Sequence, residues 1–305
     1  MADQLLRATA ADGGIRIVGT ITTDLVETAR QRHNLTYVGT AALGRAMSAG
    51  LLLVSSMKRA ESRINLRIKG DGPLGGVMVD AGLDGAVRGY VDDPTVELPP
   101  LENGSLNVGG AIGRHGYLYV VRDVGYGQPY SSTVELISGE IGEDLTYYLA
   151  TSEQTPSALA LGVFVDDRGV EAAGGLLLQV MPKAARDESL ISLLESRVAT
   201  LADFTPKLRS NHTLPDIFDS LVGDLGLAIL PDQDTQAIRF HCPCTYDRML
   251  GALKMLGVDE LRDMIEKDDG AEATCHFCGE VYHADRDELA ELINDLNKQR
   301  SEALN

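Results

Sequence analysis

The chain has no tryptophan, and its four cysteines, Cys242, Cys244, Cys275 and Cys278, all fall within the last 64 of 305 residues. Basic residues are scarce, 27 Lys plus Arg against 45 Asp plus Glu, for a formal charge of −18. Such a surface repels phosphate backbones and anionic lipid, so neither nucleic acid nor a membrane is expected as a partner. Long hydrophobic runs are also missing. The most apolar stretch, Ala46 to Val54, is interrupted by Ser48 and Gly50 and is too short for a bilayer span. Met1 to Arg7 has no basic flank leading into an apolar core, so no signal peptide is expected and a cytoplasmic location is. In that reducing compartment clustered cysteines act as metal ligands or redox switches rather than structural disulfides.

What remains is ordinary for a soluble globular protein: 44% hydrophobic and 24% charged residues, with 32 glycines to supply turns. The length suffices for a full core and for more than one domain. Alternation of apolar and polar residues predicts strands at Gly14–Thr22, Arg63–Lys69, Gly76–Asp80, Ala86–Val91, Tyr117–Val121 and Thr133–Ile137. Ser157–Val165 and Leu176–Val180, joined through Asp166-Asp167-Arg168-Gly169, predict a hairpin of buried strands. Helices are expected at Asp24–Asn34, Thr40–Lys58 and Glu140–Ser152. The fold class is therefore α+β, with a strand-rich N-terminal core domain at 1–182.

From Ala184 the apolar period becomes 3.6. Leu190, Ile191, Leu194 and Val198 form one stripe, and Leu214, Ile217, Phe218, Leu221 and Leu225 another. Two amphipathic helices in a segment at 183–236 need a surface to lie on, as a fixed layer or as a detachable cover. The acidic stretch Pro231-Asp232-Gln233-Asp234 marks the next boundary. A third domain, 237–305, carries a short strand at Ala237–Phe240, a helical insert from Tyr246 to Lys267 and a last helix opened by Asp285-Arg286-Asp287-Glu288, a capping-box pattern.

Two motifs invite catalytic readings and fail on context. Gly70-Asp71-Gly72-Pro73-Leu74-Gly75 matches G-x-G-x-x-G, but a dinucleotide site needs a helix next, and Gly76–Asp80 predicts a strand. It is expected to be a hairpin loop. Glu140, Glu143 and Asp144 stand a turn apart without His, Lys or a metal motif beside them; acidic residues at a helix N-terminus satisfy the macrodipole.

The cysteines carry the chemistry. Cys242-Pro243-Cys244 and Cys275-His276-Phe277-Cys278 are two tight pairs separated by 30 residues, the pattern of one tetrahedral site, with Zn²⁺ its default occupant. His241, His276 and His283 lie close enough to be weighed as ligands, but four thiolates already fill the shell. A filled shell leaves no position for water or substrate, which argues against an enzyme. Residues 237 to 305 contain 8 Lys plus Arg and 15 Asp plus Glu, so nucleic-acid binding by this module is disfavoured as well. A module this small draws much of its folding free energy from the metal, on the order of 10 kcal/mol. Oxidation of the thiolates removes that support, and the C-x-C pair closes only a small strained ring, suited to a labile disulfide.

These residues resemble the redox-regulated holdase chaperones of the 33-kilodalton heat-shock-protein family. The C-x-C and C-x-x-C pairs match its signature. Tyr130-Ser131-Ser132, Glu135-Leu136, Gly139-Glu140-Ile141-Gly142-Glu143-Asp144-Leu145, Tyr148, Ser152-Glu153-Gln154 and Gly174-Gly175 are similar to its core motifs. The resemblance implies that Cys242, Cys244, Cys275 and Cys278 hold zinc in a reduced, inactive form, and that oxidation pairs Cys242 with Cys244 and Cys275 with Cys278. It implies further that the zinc domain then unfolds, that the helical linker loosens, and that surface for unfolded client proteins is exposed. Members act without ATP, form homodimers when oxidised, and pass clients to ATP-dependent refolding chaperones. The alternative is a constitutive protein-binding module with a purely structural zinc.

Overall fold

The structure, a computed structural model, describes residues 2–198, 204–230 and 237–302. The chain begins with a hairpin, β1 (Gln4–Ala10) and β2 (Ile15–Ile21), followed by helices α1 (Thr23–His33) and α2 (Tyr37–Val54). Strands β3 (Arg63–Lys69), β4 (Gly76–Gly82) and β5 (Ala86–Val91) form a meander. The short helix α3 (Val108–Ile112) leads to β6 (Tyr117–Asp123) and β7 (Tyr130–Glu135), then α4 (Gly142–Thr151). The long hairpin β8 (Ser157–Asp166) and β9 (Gly169–Val180) follows, and helices α5 (Glu188–Val198), α6 (Phe204–Arg209) and α7 (Leu214–Val222) come after it. Two short strands, β10 (Ala228–Ile229) and β11 (Arg239–Phe240), return to the edges of the two sheets.

One sheet has the order β10-β1-β2-β9-β8 and the other β11-β5-β4-β3-β6-β7; among the described residues only β11 on β5 is parallel. The fold is thus α+β. Helix α2 packs on both sheets, and every residue of it but Tyr37 and Arg45 is buried. Its 18 residues are long and apolar enough to cross a membrane, yet 89% of that window lies inside the fold. The helix starts and ends earlier than the predicted Thr40–Lys58, because the Thr36 side chain caps it by accepting the N–H of Gly39.

The five-stranded sheet is covered on both faces. On β2, Val18 faces the core around α2, while Ile15, Ile17 and Ile21 face a second core with Leu190, Leu194, Phe204, Leu208, Leu214, Ile217 and Phe218. This double burial explains the continuous apolar run of β9, buried throughout from Ala172 to Val180, whereas β8, at the edge of the sheet, is largely half-buried rather than buried as its sequence suggested. The two stripes predicted from Ala184 onward are thus seated, through Leu190, Leu194, Leu214, Ile217, Phe218 and Leu221. The acidic boundary at 231–234 and the Val198 side chain lie outside the described residues.

The chain divides into two compact units, Met1–His241 and Cys242–Asn305. In the second, α8 (Tyr246–Leu256), α9 (Val258–Asp268) and α10 (Arg286–Glu302) surround a hairpin of β12 (Gly270–Thr274) and β13 (Val281–Asp285). Its core is small: Met249, Leu253, Val258, Leu261, Ala284, Leu289, Leu292 and Ile293. Asp285 and Glu288 exchange backbone-to-carboxylate hydrogen bonds at 2.9 Å each, the expected capping box of α10.

Candidate metal centre

Two loops bring the four sulfurs together. The first leads from β11 into α8, where the Thr245 side chain accepts the N–H of Arg248 to start the helix. Arg248 donates back to the carbonyl of Pro243 at 2.9 Å, fixing the loop between Cys242 and Cys244. The second is the β12–β13 turn. The Cys275 N–H donates to the Glu280 carbonyl at 2.8 Å, and the Cys275 carbonyl accepts from Gly279 at 2.8 Å and Cys278 at 3.3 Å. Gly279 takes φ of 71°, a left-handed conformation glycine adopts freely, and this turns the chain back after the last cysteine.

All four Sγ atoms lie within 4.8 Å of one another. Cys242 approaches Cys275 at 3.8 Å and Cys244 approaches Cys278 at 3.2 Å, so each contact joins the two loops, and none of the four cysteines is in a disulfide. Thiolates sharing one tetrahedral zinc lie about 3.8 Å apart, so this donor set fits a soft divalent metal with little movement. Cys278 is buried, with 3% of its surface exposed; the other three are half-buried. Burial pushes the Cys275 and Cys278 thiols up from their ordinary pKa, so a metal must displace protons to bind.

Among the described residues the metal-ligand grouping comprises the four cysteines alone. His283 faces Glu272 across the hairpin, Nδ1 to Oε2 at 3.5 Å, and His241 belongs to the first unit, its N–H donating to the Val87 carbonyl. One supporting group was not foreseen from the sequence: the Tyr282 hydroxyl donates to Cys244 Sγ at 3.2 Å. A tyrosine four residues after a C-x-x-C pair is a weak signal, and only the β12–β13 register aims it at the sulfur.

The structure disperses the carboxylates at 140–144. Glu140 precedes α4, pairs with Arg45 at 2.7 Å and accepts the N–H of Gly109 at 2.9 Å. Glu143 is exposed. Asp144 is fully buried and accepts the N–H groups of Ile137, Ser138 and Ile141 at 2.7, 3.0 and 3.1 Å. It organises the loop before α4, a larger role than the macrodipole account assigned to it. The G-x-G-x-x-G run is the β3–β4 connection, with β4 and no helix after it. Its Gly72 lets two backbones touch, donating to the Ile112 carbonyl at 2.8 Å, where an added Cβ would lie 2.4 Å from the Ala111 carbonyl oxygen.

Known proteins resemble this chain along its whole length. The family profile described as "Hsp33 protein" matches residues 3–285. The "33 kDa chaperonin" of Rippkaea orientalis is 72% identical over 299 residues, covering 98% of this chain and 99% of that protein. The one from Synechocystis is 69% identical over 304 residues, with full coverage of both. The crystal structure of the 33 kDa chaperonin of Thermotoga maritima superposes with a TM-score of 0.87 at 35% identity, covering 96% of this chain and 98% of that one. With this fold and this cysteine cluster, the chain belongs to the Hsp33 family.

Proposed function

We propose that this protein is a redox-regulated, ATP-independent holdase, a cytoplasmic chaperone that binds unfolded proteins and keeps them from aggregating under oxidative stress. One observation carries the reading: every cysteine in the chain lies in a single four-sulfur cluster, in a unit whose core is eight buried apolar side chains. In the reduced state Cys242, Cys244, Cys275 and Cys278 would hold Zn²⁺, which contributes folding free energy to a unit too small to be stable alone.

The covalent step is thiol oxidation. Hydrogen peroxide takes two electrons from a pair of cysteines; the pair forms a disulfide, and the peroxide leaves as two waters once the two thiol protons are counted. We assign the pairs as Cys242 with Cys244 and Cys275 with Cys278, following the family resemblance. The reduced cluster does not dictate this pairing, since its closest sulfur contacts run between the loops. Disulfides no longer offer thiolates to a metal, and the unit loses its support.

The helices at 183–236 supply the second half of the reading. They cover Ile15, Ile17, Leu176 and Leu178 on the outer face of the five-stranded sheet. Their release would expose that apolar face to unfolded clients, and would leave the core at 1–182 to form a homodimer and to pass clients to ATP-dependent refolding chaperones. No catalytic role is assigned to any residue. The test is aggregation of a denatured client in the presence of reduced or peroxide-treated protein, with zinc release followed by a chromophoric chelator. Suppression only after oxidation, together with metal loss, is expected. Equal suppression in both states would favour a constitutive binding module with a structural zinc.

A further inference from the structure

The first unit contains a cavity of about 850 Å³, within the range of small-molecule sites. Three basic side chains line it, Arg7, Arg16 and Lys58. That concentration is unexpected in a chain of net charge −18. Arg16 projects from β2 beside the C-terminal end of α2, where its guanidinium donates to Ser55 Oγ at 3.0 Å and to Gln179 Oε1 at 3.4 Å. Both partners are neutral. Among the described residues no carboxylate pairs with Arg16, and burial together with the positive charges of Arg7 and Arg122 pushes its pKa down.

The acidic groups of the cavity are already engaged. The Asp3 carboxylate accepts the N–H groups of Asp24 and Leu25, at 3.0 and 2.7 Å. Asp84 accepts the Ala86 N–H and faces Arg63 and Arg239. The C-terminus of α2 presents about half a negative charge to this end of the cavity, less than one of its three cations carries. A half-buried, forked donor with unused N–H groups and two further cations matches a phosphate better than a monovalent carboxylate. Leu5, Leu51, Met57, Leu83 and Ile238 supply an apolar part of the wall, fit for an organic body rather than a bare ion.

We infer that this cavity binds a small phosphate-bearing organic molecule, with its phosphate on Arg7, Arg16 and Lys58 and its apolar part against α2. The inference does not depend on the redox reading, because no cysteine lines the cavity. The experiment is calorimetric titration of the reduced full-length protein with phenyl phosphate, with benzoate and sodium chloride as controls at matched ionic strength. Saturable binding of phenyl phosphate is expected, tighter than that of benzoate.

Because Arg16 is hydrogen-bonded to both Ser55 and Gln179 and its replacement risks the fold, the test variant is Arg7→Gln combined with Lys58→Gln, checked for unchanged circular dichroism. It is expected to weaken phenyl phosphate binding about tenfold or more. No saturable binding, binding matched by benzoate, or binding unaffected by the double substitution would each overturn the inference.

Discussion

The hydroxyl of Tyr282 on β13 donates to Cys244 Sγ at 3.2 Å, reaching the sulfur of the other loop from a strand position opposite Ala273 of β12. A donor to a metal-bound thiolate orients the ligand and lowers its charge density. Loss of such partners costs metal affinity by roughly 10- to 100-fold. Tyr282→Phe keeps the ring, which lies 6.5 Å from that of Tyr246, and removes only the donor. The variant is expected to fold and to bind zinc about tenfold more weakly in a chelator competition. Unchanged zinc affinity would mean that the hydroxyl is only a neighbour of the sulfur.

Metal removal should act on one unit. With eight buried apolar residues, Cys242–Asn305 has little core of its own, whereas Met1–His241 holds two sheets and the buried α2. Chelation of the reduced protein is expected to erase hydrogen-exchange protection in α8, α9 and α10 and to leave that of β2, β3, β4 and β9 intact. The raised pKa values of Cys275 and Cys278 give the pH dependence its sign. Metal binding releases their protons, so the apparent zinc affinity falls as pH falls. Zinc titrations at two pH values check this, and equal affinities would contradict it.

How far the sequence foretold this depended on the range of the interaction. The cysteine spacing, the capping box at Asp285 and the failed G-x-G-x-x-G context are local patterns, and each predicted its structure. β1 was not foreseen, because QLLRATA has no β-branched residue but Thr9; it is a strand through its register with β2 and with β10, more than 200 residues away. The strand expected at Thr133–Ile137 is Tyr130–Glu135, since pairing of Tyr117 with Glu135 sets where it stops. α3 carries two glycines, poor helix formers, and forms because the Asn107 side chain caps it. The β12–β13 hairpin, and with it Tyr282, hides behind residues such as GAEAT that signal no strand. That Arg7, Arg16 and Lys58 line one cavity has no local trace at all.

Gly19 and Phe218 show how tightly α7 is seated. A Cβ at Gly19 would lie 2.8 Å from the Phe218 ring and 2.9 Å from Leu214, so β2 surrenders a side chain to admit the helix. Phe218 is fully buried. Phe218→Ala is expected to cost about 3–5 kcal/mol, measured by urea unfolding. If release of these helices uncovers the client surface, the same variant should suppress client aggregation under reducing conditions without losing zinc. A loss of stability with no gain in reduced-state activity would separate this core from client binding.

Asp144 offers a test of the loop before α4. Its buried carboxylate accepts from four backbone N–H groups, those of Ile137, Ser138, Gly139 and Ile141, and it holds Ile141 at φ of 60°, a strained value for a β-branched residue. Asp144→Ala strands those donors and is expected to cost about 2–4 kcal/mol in urea unfolding. Asp144→Asn keeps the acceptor oxygen and should recover part of the loss. Equal costs for the two would point to the charge rather than the hydrogen bonds.

Glu27 sets an acid limit on the first unit. Its carboxylate accepts two hydrogen bonds from Arg30, at 2.8 and 2.7 Å, and reaches across to the β8–β9 turn, where it accepts the Val170 N–H at 3.0 Å. The Arg30 hydrogen bonds, ahead of the Val170 N–H, bring its pKa down from 4.5 to about 2. A carboxyl whose pKa is lower in the folded chain binds fewer protons there than when unfolded. Its stabilisation is therefore complete above about pH 4.5 and is lost as pH falls through about 2. Glu27→Gln cannot titrate. Urea unfolding between pH 5 and 2 should give the variant a shallower fall in stability than the parent, with the gap between them closing toward the acid end. Parallel curves would show that Glu27 is held no differently in the folded and unfolded chains.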